Sequence, residues 1–390
     1  MNQEKSSLFS NSRFLQLCAG ALLFFVSFNM VIPELPGYLT KIGGESYLGY
    51  IIGLFTITAL ISRPFSGKLA DRIGRVPIIV FGAAVSAICG LMYVFTSGIF
   101  AFLLLRLFHG FSTGFTPTGT SAYVADLFPG NRKGEALGLL SLSGSLGMAV
   151  GPALGSFIYA KFGYDALFVS SSISGFIAVA WMLGLKETLN GRKKFKASML
   201  LIEPGEIIEP RVFPPALVLL LSVISFGTMI TLIPGRCEAL GMTNKGMFFL
   251  AFTLASITVR FGAGKISDRI GREKVLTVST SLLAISMSIL AFASSTTGLY
   301  LGAILFGLGN GINSPTVMAW AIDLSRENHA GRAISTVYMA LEAGIGTGAF
   351  ASGAVYALNP GYFPVIFLSS TFLCIAALLF LIRRIVLRSR

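Results

Sequence analysis

Charge is what this chain has little of. Only 12% of its residues are Asp, Glu, Lys or Arg, while 54% are hydrophobic; an ordinary soluble domain carries about 25% charged residues. One water-solvated core cannot bury so much apolar material, so lipid must be the solvent. Cysteine is also scarce. Cys18, Cys89, Cys237 and Cys374 are scattered and form no C-x-x-C pair, which excludes a disulfide framework and a cysteine zinc site. Acidic residues are outnumbered 17 to 30, for a net charge of +13. The basic residues fall in short clusters between long apolar runs, so an anionic membrane surface is the expected partner and nucleic acid is not. Phosphate-loop chemistry is missing too. Gly262-Ala-Gly264-Lys265-Ile266 has Val at 259 where the first glycine belongs, and no Ser or Thr after the lysine. With no catalytic constellation and no ATP-binding domain, the reading is a non-enzyme without cofactor or metal, whose pumping would draw on an ion gradient.

What is present is a series of apolar runs. A spanning helix needs roughly 20 mostly apolar residues. Twelve stretches qualify: 14–38, 47–69, 76–96, 99–127, 134–160, 165–185, 213–235, 246–267, 275–294, 297–322, 331–357 and 361–384. The first lacks a small-residue cleavage site and is expected to stay in place. The fold expected is all-α, two six-helix bundles at 1–185 and 213–390, joined by a surface linker over 186–212. That linker carries the basic run Arg192 to Lys196 and an apolar patch at 199–202. If both termini are cytoplasmic, inside segments hold 23 of the 30 basic residues; outside loops hold only Lys41, Lys161, Arg236 and Lys245. The positive-inside rule therefore places both ends in the cytoplasm.

The chain also repeats itself. A shift of 197 residues lays Arg63-Pro-Phe-Ser-Gly67-Lys68-Leu-Ala-Asp71-Arg72-Ile73-Gly74-Arg75 on Arg260-Phe-Gly-Ala-Gly264-Lys265-Ile-Ser-Asp268-Arg269-Ile270-Gly271-Arg272. The same shift carries Gly110 onto Gly307, Asp126 onto Asp323, Gly147 onto Gly344 and Gly151 onto Gly348. Six spans separate the copies, so both halves run the same way, and such parallel repeats put the working site between them near mid-membrane. Gly67 and Gly74 are expected to permit a tight turn and close backbone approach.

These residues resemble the G-x-L-x-D-R-x-G-R signature of the major facilitator superfamily, present twice. Arg106-Leu-Phe-His109-Gly110 is similar to that family's R-x-x-Q-G element, and Gly147-Met-Ala-Val-Gly151-Pro152-Ala-Leu-Gly155-Ser156 to the G-x-x-x-G-P-x-x-G-G element of its drug–proton antiporter branch, with serine for the last glycine. The resemblance implies twelve helices working by alternating access as a monomer, in a plasma (inner) membrane, exchanging a small organic molecule for protons. It implies a latch of Gly67, Asp71, Arg72, Arg75 and Asp126, copied as Gly264, Asp268, Arg269, Arg272 and Asp323. Asp71 would face the cytoplasmic end of the eleventh span, and Arg75 would pair with Asp126. The glycines at 144, 147, 151 and 155 line one helical face, along which a partner helix is expected to slide during rocking. Import or uniport of a sugar or organic acid, or a non-transporting receptor or lipid-handling role, would use the same fold.

Ionisable groups at membrane depth are costly and hence functional candidates. His109 and Glu342 fall near the midplane, with Arg106 one turn from His109. Glu34, in Pro33-Glu34-Leu35-Pro36, sits at the outer end of the first span, where hydration is expected. Arg63 and Arg260 lie toward cytoplasmic ends and are expected to snorkel. Glu342 and Glu34 compete as proton carriers. Arg106, with His109 adding a second positive charge when protonated, favours an anionic or zwitterionic ligand. Asn29, Asn310, Asn313 and Tyr338 are candidate cavity residues.

Overall fold

In lipid every backbone amide must find its partner inside the protein, and runs of this length do so as helices. The computed structural model describes residues 8–128, 133–201, 208–325 and 330–389, and among them no strand occurs. The helices are α1 (Ser12–Met30), α2 (Leu35–Lys41), α3 (Leu48–Ile73), α4 (Arg75–Met92), α5 (Ile99–His109), α6 (Phe111–Leu127), α7 (Lys133–Leu183), α8 (Phe213–Ala239), α9 (Gly246–Ile270), α10 (Arg272–Phe292), α11 (Thr296–Leu324), α12 (Ala330–Leu358) and α13 (Phe363–Ser389).

Prolines and glycines decide where these rods break. Pro33 and Pro36 supply no amide hydrogen, so the first span splits into α1 and α2, with Glu34 at the start of α2. The fourth span is α5 plus α6, parted at Gly110. α7 holds two spans, turned at Gly163 with φ +82°, a conformation only glycine takes without strain. Eight helical stretches, or nine with the bent α9, are long and apolar enough to cross a membrane. Counting α7 twice and adding α11 and α12 makes twelve rods among the described residues.

Packing follows the sequence repeat. α1 lies along the first part of α7 as α8 lies along α12; α3 meets α6 as α9 meets α11; α4 meets α6 and α7 as α10 meets α11 and α13. The two bundles touch through α3 against α12 and through α7 against α9. One end of the molecule carries the arginine-rich loops after α3 and α9 and is termed the basic end; the other is the far end. At the far end the bundles share one hydrophobic core, in which Met30, Leu35 and Phe102 join Ile233, Phe248 and Phe306. At the basic end each keeps its own: Phe14, Tyr123 and Met182 in one, Val218, Trp320 and Leu381 in the other. The bundles are therefore sealed at the far end and parted at the basic end.

Three expectations can be set against the structure. The face of Gly147, Gly151 and Gly155 meets its close partner helix within its own bundle, α1. A methyl added at Gly147 or Gly151 would lie 2.8 Å from the carbonyl oxygen of Leu22 or Val26, and one at Gly155 would strike that of Met30. Pro152 is the member that faces the other bundle, its carbonyl against Gly246. Gly67 makes neither a turn nor a close contact: it lies inside α3 with open space beside it, and the turn belongs to Gly74 at φ +129°, copied by Gly271 at φ +98°. The linker does more than lie on a surface. Residues 202–207, which include the last residue of its apolar patch, fall outside the described residues. Before them Met199 is buried against Leu69, Ala70 and Ile78, and Lys68 Nζ donates to the Leu201 carbonyl.

Close glycine packing predicts an asymmetric response. Gly155→Ala should cost about 1–3 kcal/mol by overpacking and lower the melting temperature in detergent. Gly138→Ala, whose added methyl meets nothing within 4 Å, should not lower it.

Candidate functional site

Glu342 does not stand alone at mid-depth. Arg63 of α3 reaches across the bundle boundary to α12, placing Nη2 2.5 Å and Nε 3.2 Å from Glu342 Oε1. Its guanidinium stacks over the Tyr338 ring at 4.4 Å. Both side chains are under a tenth exposed. Arg63 lies about ten residues from the basic end of α3, or ~15 Å, too deep and too firmly paired to snorkel. Its repeat partner Arg260 does not snorkel either: Nη1 donates to Ser141 Oγ at 3.2 Å and Ser145 Oγ at 3.0 Å on α7 of the other bundle.

Arg106 is fully buried within its own bundle. Nε donates to the Ile51 carbonyl at 2.8 Å, Nη1 to Tyr93 Oη at 3.2 Å, and the guanidinium lies 4.8 Å from the Phe55 ring centre. Arg106 Nη1 also points at His109 Nδ1, 3.4 Å away. Arginine only donates, so Nδ1 is an acceptor and Nε2–H faces Ser86 Oγ at 3.3 Å. His109 is enclosed by Phe28, Phe55 and Tyr93, whose Oη also lies 3.2 Å from Nδ1. Arg106 and His109 form a hydrogen-bonded network inside one bundle, and Arg106 Nη2 is buried without a hydrogen-bond partner among the described residues.

Glu34 is not hydrated: it is wholly buried. Oε1 accepts from Ser156 Oγ at 2.6 Å and Oε2 from Lys245 Nζ at 3.1 Å. Lys245, between α8 and α9, also pairs with Glu238 at 2.8 Å. Ser156 Oγ accepts the Gly246 amide at 3.0 Å, and Asn244 Nδ2 donates to the Ala153 carbonyl at 3.0 Å. Glu34 and Ser156 belong to one bundle and Lys245 to the other, so this clasp closes the far end. Burial works against the Lys245 cation, but Glu34 and Glu238 outweigh it and hold its pKa above the usual lysine value. The cation's contribution to the clasp is then complete below the ordinary lysine range and lost only as pH rises beyond it.

At the basic end Arg75 Nε lies 3.0 Å from Asp126 Oδ2, and Arg75 also pairs with Asp71. The copy repeats this: Arg272 Nε is 2.9 Å from Asp323 Oδ2 and pairs with Asp268. The Asp71 side chain is 71% exposed apart from its pairing with Arg75, and the cytoplasmic end of the eleventh span, which it was expected to face, lies at the edge of the described residues. Arg72, Arg269 and Gly264 are exposed as well. Glu187 accepts the Arg75 and Val76 amides at 3.0 and 3.1 Å, satisfying orphan donors where the helix dipole favours a carboxylate.

Of the polar candidates, Asn29 back-bonds to the Phe25 carbonyl at 2.8 Å, and Asn313 Nδ2 faces Ser222 Oγ at 3.3 Å between α11 and α8. Asn310 is half-buried. Sequence reasoning missed Lys245, Glu238, Glu187, Ser141 and Ser145. Ser156 was visible as the serine that ends the fifth-span motif, and the serine pair by extending the 197-residue register to Tyr338 and Glu342.

Fold and site together define an integral membrane protein of two like six-helix bundles joined by ion pairs at mid-depth and at one end. Residues 17–247 and 216–389 match the model of the Major Facilitator Superfamily, and the chain belongs to that family. Multidrug resistance protein MdtG of Salmonella arizonae is 29% identical over 333 residues, covering 81% of each chain. Multi-drug resistance efflux pump PmrA of Streptococcus pneumoniae is 29% identical over 380 residues, covering 92% of each. Among solved structures, the human organic anion transporter MFSD10 (TETRAN) superposes with TM-score 0.73 at 18% identity over 94% of this chain and 98% of that one. A peptide transporter POT bound to sulfate does so with TM-score 0.78 at 14% identity over 95% and 94%. Likeness at that identity concerns the fold alone.

A buried ion pair is most costly when half of it is removed. Glu342→Gln should destabilise by about 3–5 kcal/mol because it leaves Arg63 uncompensated. The double variant Arg63→Met, Glu342→Leu should recover most of that loss, measured by thermal unfolding of both.

Proposed function

We propose that this protein is a secondary active exporter that exchanges protons for a small drug-like organic molecule by alternating access, as a monomer and without enzymatic chemistry or cofactor. It sits in the plasma (inner) membrane with the basic end and both termini cytoplasmic. The observation that carries the reading is the Arg63–Glu342 pair, an ionisable link at mid-depth between two bundles sealed at one end and parted at the other. The efflux and multidrug names of relatives spanning 81–92% of their own lengths support the direction and the substrate class.

Residues 1–185 and 213–390 act as the moving halves, with 186–212 joining them. In the inward-facing state Glu342 is ionised and holds α12 to α3. A proton taken up from outside neutralises the carboxylate and removes that attraction, so occupancy by a proton changes the relative cost of the two states. The Glu34–Lys245–Glu238 clasp is the outer gate. The Asp71 and Asp268 loops are the inner latch, engaged when the basic end closes. Relocating Asp71 against the end of α12 would then displace Met199 and its neighbours from α3.

Two transport measurements test this in proteoliposomes loaded with fluorescent drug-like dyes. Glu342→Gln should still bind dye but lose the acceleration that an imposed pH gradient gives the wild type; undiminished gradient-driven flux would move the proton elsewhere, with Glu34 next. Asp71→Asn should fold and insert normally yet transport at background, and wild-type flux by that variant would remove the latch assignment.

A further inference from the structure

The repeat that builds the two halves also duplicates their central contact, with two changes. The 197-residue shift carries Arg63 onto Arg260, Tyr338 onto Ser141 and Glu342 onto Ser145. The structure honours this register: Arg63 of α3 meets Tyr338 and Glu342 of α12, and Arg260 of α9 meets Ser141 and Ser145 of α7. In one copy the cation faces an aromatic ring and a carboxylate. In the other it faces two hydroxyls. Glutamate and tyrosine are replaced by much shorter side chains, so the second copy keeps the arginine and gives up both the counter-charge and its volume.

Arg260 lies about ten residues from the basic end of α9, or ~15 Å deep. It has no carboxylate partner among the described residues, and its buried Nε has no hydrogen-bond partner there. Of five N–H donors, only those on Nη1 are used by the serines. Ser141 beside it is exposed, so the group is reachable from the side where the halves part. An uncompensated cation at membrane depth is costly, and a planar guanidinium with free donors suits a bidentate carboxylate.

We propose that Arg260, Ser141 and Ser145 form the subsite for a carboxylate carried by the transported molecule, which takes the place that Glu342 fills in the other half. The proposal rests on the exporter reading and specifies it: the substrates are organic anions or zwitterions. Glu342 and Arg260 sit on different helix pairs, α3–α12 and α7–α9. Proton and anion therefore have separate sites related by the pseudo-twofold axis.

The test uses the full-length protein in phosphatidylcholine nanodiscs and three probes with one ring system: 1-naphthoate, the uncharged 1-naphthamide and the cationic 1-naphthylmethylammonium. Wild type should bind the carboxylate at least roughly tenfold tighter than the amide, the scale of one charge-assisted contact. Arg260→Gln should abolish that preference. Ser145→Glu should abolish it too while raising the ligand-free melting temperature, since it rebuilds the missing ion pair; this variant keeps the test alive if Arg260→Gln fails to fold. No preference in the wild type, or a preference unchanged in both variants, overturns the subsite. Arg260-dependent stabilisation by added phosphatidylglycerol without any by naphthoate also overturns it, in favour of a lipid headgroup. The exporter reading fails separately, if no dye moves under a pH gradient in wild-type proteoliposomes.

Discussion

Two opposite charges withdrawn from water at the boundary between two bundles set the terms for the rest of this molecule. Either Arg63 or Glu342 alone would be costly at that depth, and the geometry that satisfies both has α3 and α12 meet. The ion pair is thus a conditional link: complete when the carboxylate is charged, and lost as an attraction when it is not. Because the helices it joins belong to different bundles, the pair ties the two halves to each other at that depth.

Around that link the structure divides its labour by depth. The far end is closed by the Glu34–Lys245–Glu238 clasp, by close backbone approach at Gly246 and Pro152, and by one apolar core common to both bundles. The basic end keeps separate cores, and its duplicated arginine–aspartate loops are turned inward upon their own bundle or exposed. Internal pseudo-symmetry makes the differences informative. The helix pairings inside each half are copied, whereas the crossing between halves is copied in position but not in charge, with a carboxylate at 342 and a hydroxyl at 145.

Much of the fold was legible. The twelve runs and the repeat offset lie in local sequence or in a register that can be read by sliding the chain against itself, and the Arg75–Asp126 and Arg272–Asp323 pairings were what the family resemblance implied. Individual charges at depth were legible as exceptions, since an ionisable residue in an apolar run always marks something. Their partners were not. Arg63 and Glu342 are 279 positions apart, and Glu34 and Lys245 are 211 apart; no periodicity connects them.

The sequence by itself determined that the chain lives in lipid, that it consists of two like halves, and which side chains carry charge into the membrane. These follow from composition and spacing, which act locally or repeat at constant offset. Tertiary structure alone decided which charges stay within one bundle, as Arg106 does, and which cross to the other, as Arg63 and Glu34 do to opposite charges and Arg260 does to two hydroxyls. The physical reason is that the free energy of a buried charge depends on what lies within a few ångströms of it, and in a helical bundle those neighbours come from distant parts of the chain.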